Sequence, residues 1–517
     1  MAVTDKAKAA ALHKRIPLSQ YLCFFSTLVW GIAAHAMALF NKYSIYEDVS
    51  QLFGVGATYE SGRWMLDILH QAECFFLGGS FSLPFLNGLA TIVYISLVAC
   101  LIGQLLSIEK GGSCIALGGI LVTTPVLTGT FGYMFTAPHY AFGLLMAVWG
   151  VVLLCRKMSR LSAILGIVLI ACGIGVYQAI LPCVLSLMLL WFIRRSYTQD
   201  WSAKQYFLRM GYLLICCGAA LGLYFVINKL YLHFAGATLS DYQGISTAGQ
   251  LPLKTYLKRA LGAYKQFLLP DTDTSAYMYP HGMHILYRAA QLLAGCLSIV
   301  LLVKAAQEKR AKLFALLLPM ALLPLAFCFI YVMCEPQAIH SLMVYNHVML
   351  FVNLLWLGQT IFQSEGAAAK RCRTAVCCIV LLLSGLYVRY DNICYLKAQF
   401  VQEQTINYFT VLVTQIKSTP GYRDDMKVNF IGFNQKTDET LTKNEGFAIV
   451  NTIPYHDTDV MINSFAGRAF IRYWCGFDPV YDYTNYAQDP QVQEMPCYPD
   501  EGSIAIINDT VIVKFSQ

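Results

Sequence analysis

Charge is what this chain of 517 residues has least of: Asp, Glu, Lys and Arg together make up 13% of it, about half the share carried by a soluble globular protein. That shortage excludes a cytosolic enzyme, a disordered protein and a nucleic-acid binder. Glycine-rich phosphate loops are missing as well, and with them the usual means of holding a nucleotide. No internal repeat and no low-complexity linker divides the chain. The apolar interiors also lack carboxylates: reading along them, the ionisable residues are His35, His139, Arg209, Lys229, Arg288, His347 and Arg389. Ion-coupled transporters place acids at mid-membrane, so a lipid or polysaccharide transporter or flippase is the weaker of the two functional alternatives.

Apolar sequence takes up the space. Hydrophobic residues are 57% of the chain and the mean hydropathy is +0.52. Stretches of about 20 apolar residues, enough to cross a bilayer core, recur between Pro17 and Tyr390. Hydropathy places about eleven spans, near 18–40, 82–107, 113–134, 138–155, 160–176, 179–193, 206–232, 285–303, 313–333, 341–362 and 374–390. The expected fold class is mostly α, a polytopic helical bundle. The first apolar stretch is too long for the core of a signal peptide and reads as the first span.

The net charge of +7 matters less than its placement. With the N-terminus inside, the cytoplasmic segments hold Lys6, Lys8, Lys14, Arg15, Lys110, Arg156, Lys157, Arg160, Arg194, Arg195 and Lys204, then Lys304, Lys309, Arg310, Lys312, Lys370, Arg371 and Arg373. The short outer connections near 135–137, 177–178 and 334–340 hold neither Lys nor Arg. This is the positive-inside pattern. It places the protein in a plasma membrane with its N-terminus cytoplasmic and its C-terminal tail extracytoplasmic.

Two outer loops, 41–81 and 233–284, belong to the membrane domain 1–390, and residues 391–517 form an outer α+β domain. Within the first loop, Arg63 to Phe76 reads as a surface helix with Trp64, Ile68 and Phe75 on one side and Asp67, His70 and Glu73 on the other. Within the second, Leu253, Tyr256, Leu257, Ala260, Leu261, Tyr264, Phe267 and Leu268 follow helical spacing opposite Lys254, Lys258, Arg259 and Lys265. A basic interfacial helix of this kind suits anionic headgroups. In the tail, helices are expected near 401–417 and 458–474, with a strand at Val428–Phe433. A hairpin, Ser503–Ile507 and Thr510–Phe515, turns at Asn508-Asp509. Most of the 18 cysteines lie inside spans as small apolar residues; Cys475 and Cys497 are spaced to allow a disulfide in a non-reducing compartment.

Chemistry concentrates on the outer side. Glu47 and Asp48 follow the first span, and Tyr59-Glu60-Ser61-Gly62-Arg63-Trp64 comes a dozen residues later. A carboxylate can take the proton of an attacking hydroxyl, and an arginine fork can hold a phosphate and the charge it carries as it departs. Together they suit group transfer from a phosphate-bearing lipid, although ordinary loop charges would read the same on spacing alone. His139 and the Tyr177-Gln178 pair sit at outer span ends, where they touch a substrate or merely anchor the interface. Asp271-Thr272-Asp273 lies in a loop without a nucleotide fold. His281 and His284 have metal-ligand spacing but no further ligand beside them, so no metal site is assigned. The adjacent acids are able to hold a divalent ion, but nothing else in the sequence supports one, and no cofactor is assigned.

These pieces resemble the bacterial membrane glucosyltransferases of the O-antigen-modifying type II family, which have the multi-span GT-C architecture. The resemblance rests on Glu47-Asp48 after the first span, Gly62-Arg63-Trp64, Tyr133-Met134, Tyr177-Gln178, and Tyr498-Pro499-Asp500-Glu501-Gly502-Ser503-Ile504 leading into Val511-Ile512-Val513-Lys514. It implies a sugar, typically glucose, taken from a polyprenyl phosphate carrier and attached to a cell-surface polysaccharide or its lipid-linked precursor. The family pattern has two aspartates at the first position, where this chain has Glu47, so the resemblance makes Asp48 the catalytic base of an inverting transfer, with Glu47 beside it. Arg63, Glu60, Tyr133, His139, Tyr177, Gln178, Lys258 and Arg259 are the expected substrate-binding residues. The implied partners are the lipid-linked sugar donor, the glycan acceptor and membrane lipid.

Overall fold

A segment inside a bilayer has no water to bond its amides, so it must satisfy them internally as a helix. The computed structural model describes residues 16–43, 47–156, 158–240, 251–269, 281–433 and 464–516, and nearly all of the apolar sequence in them is helical. The chain begins with α1 (Leu18–Phe40), and two short helices, α2 (Glu47–Ser50) and α3 (Trp64–Leu77), occupy the loop that follows. Then come α4 (Pro84–Leu106), α5 (Gly111–Thr123), α6 (Pro125–Phe131), α7 (Ala137–Arg156), α8 (Arg160–Val176), α9 (Leu181–Thr198) and α10 (Ala203–Ala235). The second half holds α11 (Leu253–Leu268), α12 (His281–Glu308), α13 (Arg310–Phe327), α14 (Ile330–Met333), α15 (Met349–Ile361) and α16 (Ala367–Ser418).

The expected eleven spans are not all found. Among the described residues eight helices are long and apolar enough to cross a membrane, or nine if the bent pair α5 and α6 is one span. That pair bends by 44° at Thr124-Pro125, where proline removes a backbone donor. The run 341–362 resolves into two tight turns and α15, whose 13 residues reach only ~20 Å, short of a ~30 Å hydrocarbon core. Nearly all of α15 is buried against other helices, so its apolar composition serves protein packing rather than lipid. Helix α8 has 17 residues, and α13 carries Pro319 and Pro324 and stops at Phe327.

Helix α16 is a single rod of 52 residues. It runs unbroken through positions 390 and 391 and leaves the bundle to become the first element of the small C-terminal domain. There Phe409, Leu412 and Ile416 pack against β1 (Lys427–Ile431), α17 (Ser464–Cys475) and the final hairpin. A short α18 (Pro490–Glu494) precedes that hairpin, β2 (Ile504–Ile507) and β3 (Thr510–Lys514). The strand order is β1-β3-β2, with β1 parallel to β3 and Val428 opposite Val511. The turn residues Asn508 and Asp509 both take positive φ, 50° and 61°, as the Asn-Asp signal foretold. Cys475 and Cys497 are both free thiols. The loop triplet 271–273 and the beginning of the helix expected at 458–474 lie outside the described residues.

Two contacts fix the small domain over the first loop. Val49 of α2 is fully buried in the small domain's core, and the Phe53 ring meets Tyr473 of α17 edge-on at 5.6 Å. The acids next to Val49 are therefore held between bundle and domain.

Candidate active site

Lys42 follows α1, and its ammonium reaches Asp48 Oδ2 at 2.5 Å and Ser82 Oγ at 2.6 Å. Ser82 in turn donates to Asp48 Oδ1 at 2.5 Å. Asp48 is wholly buried. A buried carboxylate that accepts from a lysine and a serine is paid for electrostatically, and its effect here is to pin α2 against the ends of α1 and α4. Neither Lys42 nor Ser82 carries any sequence signal toward Asp48; the 34 residues separating Ser82 from Asp48 are closed only by the fold.

Glu47 is different. It lies at the first position of α2, half-exposed and within electrostatic reach of Arg63. Burial pushes its carboxyl above the ordinary 4.5, and the Arg63 guanidinium draws it part of the way back. Arg63 is positioned by a sharp turn: Tyr59–Ser61 makes one 3-10 turn, and Gly62 continues at φ 71°, which a side chain would resist. The guanidinium then lies over the Tyr177 ring, 5.3 Å from its centre, and Tyr177 stacks on Tyr140 at 4.5 Å. An arginine against an aromatic face keeps its fork planar and oriented.

Gln178 braces this turn from below. Its amide donates to Ser61 O at 2.8 Å and to the Tyr224 hydroxyl at 3.1 Å, and Tyr224 donates to Gly62 O at 3.0 Å. Trp64 packs so closely on Gly175 that a Cβ there would stand 2.6 Å from the indole. The expected pair Tyr177-Gln178 is thus joined to Arg63, with Tyr177 supporting its charge and Gln178 its backbone.

A second polar group flanks the first. Glu73 of α3 accepts from His139 of α7 at 2.9 Å and from the Ser80 hydroxyl, and Ser80 meets His70 at 2.8 Å. Burial lifts the Glu73 carboxyl, but His139, Ser80 and His70 outweigh it and hold the group below its ordinary value. His139 therefore acts as a link between α3 and α7.

The remaining expected residues are spread out. Tyr133 is buried beside Phe135, whose ring covers Gly56 of the first loop. Glu60 is exposed, with its backbone carbonyl bonded by Ser240. Arg259 is engaged by Glu335 at 3.2 Å, whereas Lys258 is exposed. Helix α11 rests on α13 and α14 with Leu253, Leu257, Leu261 and Leu268 all exposed. Among the described residues no group of three or more His, Cys, Asp or Glu is arranged to hold a metal ion.

The family model Glucosyl transferase GtrII matches residues 36–351. The chain belongs to this glucosyl transferase family. Comparison with curated proteins and with solved structures returns no match. The match takes in Glu47-Asp48, Gly62-Arg63-Trp64, Tyr133-Met134 and Tyr177-Gln178 and leaves the run 498–504 outside it. As a member of the GtrII family with at least eight membrane-length apolar helices among the described residues, the protein is a membrane glycosyltransferase.

One acid escaped the sequence reading. Asp391 of α16 is fully buried, one residue past the end assigned to the last span, and corrects the expectation of apolar interiors without carboxylates. Its neighbour Asn392 donates to Ala33 O and Ala34 O of α1, which sets Asp391 about two turns inside the end of that helix.

Proposed function

We propose that the protein transfers a hexose such as glucose from a polyprenyl phosphate donor to a cell-surface polysaccharide or its lipid-linked precursor on the outer face of a bacterial plasma membrane. The observation that carries this reading is that the half-exposed carboxylate of Glu47 stands within electrostatic reach of the Arg63 guanidinium, which is held over the Tyr177 ring. Arg63, backed by Tyr177, holds the donor phosphate. Glu47 takes the proton from the acceptor hydroxyl as its oxygen bonds the anomeric carbon. The bond from that carbon to the phosphate oxygen breaks, and polyprenyl phosphate leaves with the electron pair. Attack opposite the leaving group inverts the anomeric centre.

The geometry favours Glu47 over Asp48 as base, since both oxygens of Asp48 are occupied and the group is sealed from substrate. Asp48 is then the anchor. Sidedness is supported by the basic residues at the opposite end of the bundle: Lys110 pairs with Glu365, Arg194 bonds Ser107, Lys304 bonds Ile361 O, and Lys312 pairs with Asp200. That end suits the cytoplasm. Nucleotide sugars are cytosolic, so an outward site needs a donor carried by lipid. Helix α11, with its leucines outward and Lys258 exposed, suits the headgroup layer from which such a donor arrives.

The reading is tested on surface polysaccharide from cells making the wild type or Arg63→Ala at equal protein level. Sugar composition and linkage are expected to show one branch present with the wild type and lost in the variant. Identical polysaccharides from both would overturn it.

A further inference from the structure

Beside Lys42 the bundle leaves a narrow cavity with a few polar groups in a mainly apolar lining. Its lining includes Lys42, Tyr43, Thr128, Phe131, Met134 and Tyr395. The interior leaves only about 10 Å³ for the centre of a water-sized group, which is the space of one water or one hydroxyl.

Its polar lining is incomplete. The Tyr43 hydroxyl, in a residue 9% exposed, is buried with no hydrogen-bond partner, and Thr128 Oγ1, in a residue 1% exposed, has none of normal geometry. Buried hydroxyls without partners are costly and rare. The Tyr395 hydroxyl is held by His35 and also has Thr128 turned toward it. His35 Nε2 lies 2.8 Å from Val122 O and so carries the ring proton, which leaves Nδ1 to accept from the Tyr395 hydroxyl at 2.8 Å. Asp391 stands one helical turn before Tyr395 on the same face of α16, and neither of its oxygens has a hydrogen-bond partner of normal geometry. Thr128 is the hydroxyl turned toward it.

We propose that this cavity takes the hydroxymethyl group of a hexose, and so selects hexoses over 6-deoxyhexoses; the inference rests on the transferase reading above. A pyranose ring is too wide to enter. The hydroxymethyl group is the one hydroxyl that stands off a hexopyranose ring on an extra carbon, so it alone reaches inside while the ring stays at the mouth beside Lys42. The bonds then close as a chain: the Tyr43 hydroxyl donates to the sugar oxygen, the sugar hydroxyl donates to Thr128, and Thr128 donates to Asp391. Asp391 is a positioning residue, setting the direction in which the Thr128 proton points.

The sugar is that of the donor or of the acceptor, and matched substrates separate the two. One arm compares polyprenyl phosphate glucose with its 6-deoxy analogue as donor. The other compares a methyl hexoside with its 6-deoxy analogue as acceptor. In one of the arms kcat/KM for the wild type is expected to be about 50-fold higher for the hexose. Thr128→Val and Tyr43→Phe keep shape and remove the hydroxyl; each is expected to cost the hexose more than about tenfold and leave the 6-deoxy sugar unchanged. A hexose preference below about twofold in both arms, or one that survives both substitutions, would mean that the cavity holds only water. A folded wild type that transfers neither sugar from any polyprenyl phosphate donor would overturn the transferase reading, and the pocket with it.

Discussion

Glu47→Gln is expected to abolish transfer, lowering kcat by about a thousandfold, while leaving the protein folded. The amide keeps the shape of the side chain and cannot accept the acceptor's proton. Its effect on stability distinguishes this loss from damage. Burial raises the Glu47 carboxyl above its ordinary value, so protonation favours the folded state, and the contribution is lost as pH rises through the raised value. At neutral pH the ionised side chain opposes folding, and glutamine removes that opposition. The variant is therefore expected to melt no lower than the wild type at pH 7. The rate profile of the wild type follows the same shift. Activity requires the ionised base, so its acid limb should fall as pH drops through a value above 4.5. A variant that melts lower and loses activity in proportion would remove Glu47 from the base role.

Asp48→Asn is expected to fail by a different route. It leaves the Lys42 ammonium, 27% exposed, beside an amide instead of a carboxylate. Breaking such a pair from one side costs about 2 kcal/mol, at the lower end for buried pairs because Lys42 reaches solvent. Lys42→Met should cost a similar amount. Combined, the two should cost less than their sum, since neither charge is then left alone. The same coupling should be visible in activity: Asp48→Asn loses transfer because α2 no longer presents Glu47, and adding Lys42→Met restores part of it. No second change should restore Glu47→Gln. Thermal denaturation and initial rates of the three variants measure both effects. Strict additivity in stability together with equal, unrescued inactivity would return the base role to Asp48.

Much of the site was legible because its residues lie close together in sequence. Glu47-Asp48 and Gly62-Arg63-Trp64 fall within one loop, and their acid and cation types announce their chemistry. The spacing also marked the helix that begins at Trp64, the amphipathic α11 and the Asn508-Asp509 turn, all local patterns. What sequence could not supply was tertiary. Lys42 and Ser82 meet Asp48 only through packing, and that packing is what supports the proposal of Asp48 as an anchor. Asp67, placed on the polar side of its helix, is instead buried and bonded by Tyr231 at 2.6 Å. The full count of eleven spans is not confirmed for a related reason: hydropathy records that 341–362 avoids water, and helix α15 avoids it inside protein. Asp391 was missed because the apolar run ended at Tyr390 while the helix continued for another 28 residues to Ser418.

The most direct measurement places the purified protein in liposomes with a glycan acceptor outside. Two labelled glucose donors are compared, polyprenyl phosphate glucose and a nucleotide-linked glucose, each with the wild type and with Glu47→Gln. Label is expected to reach the glycan only from the lipid-linked donor, and only with the wild type. Label arriving from the nucleotide sugar, or lipid-linked sugar crossing the bilayer with none transferred, would contradict the account.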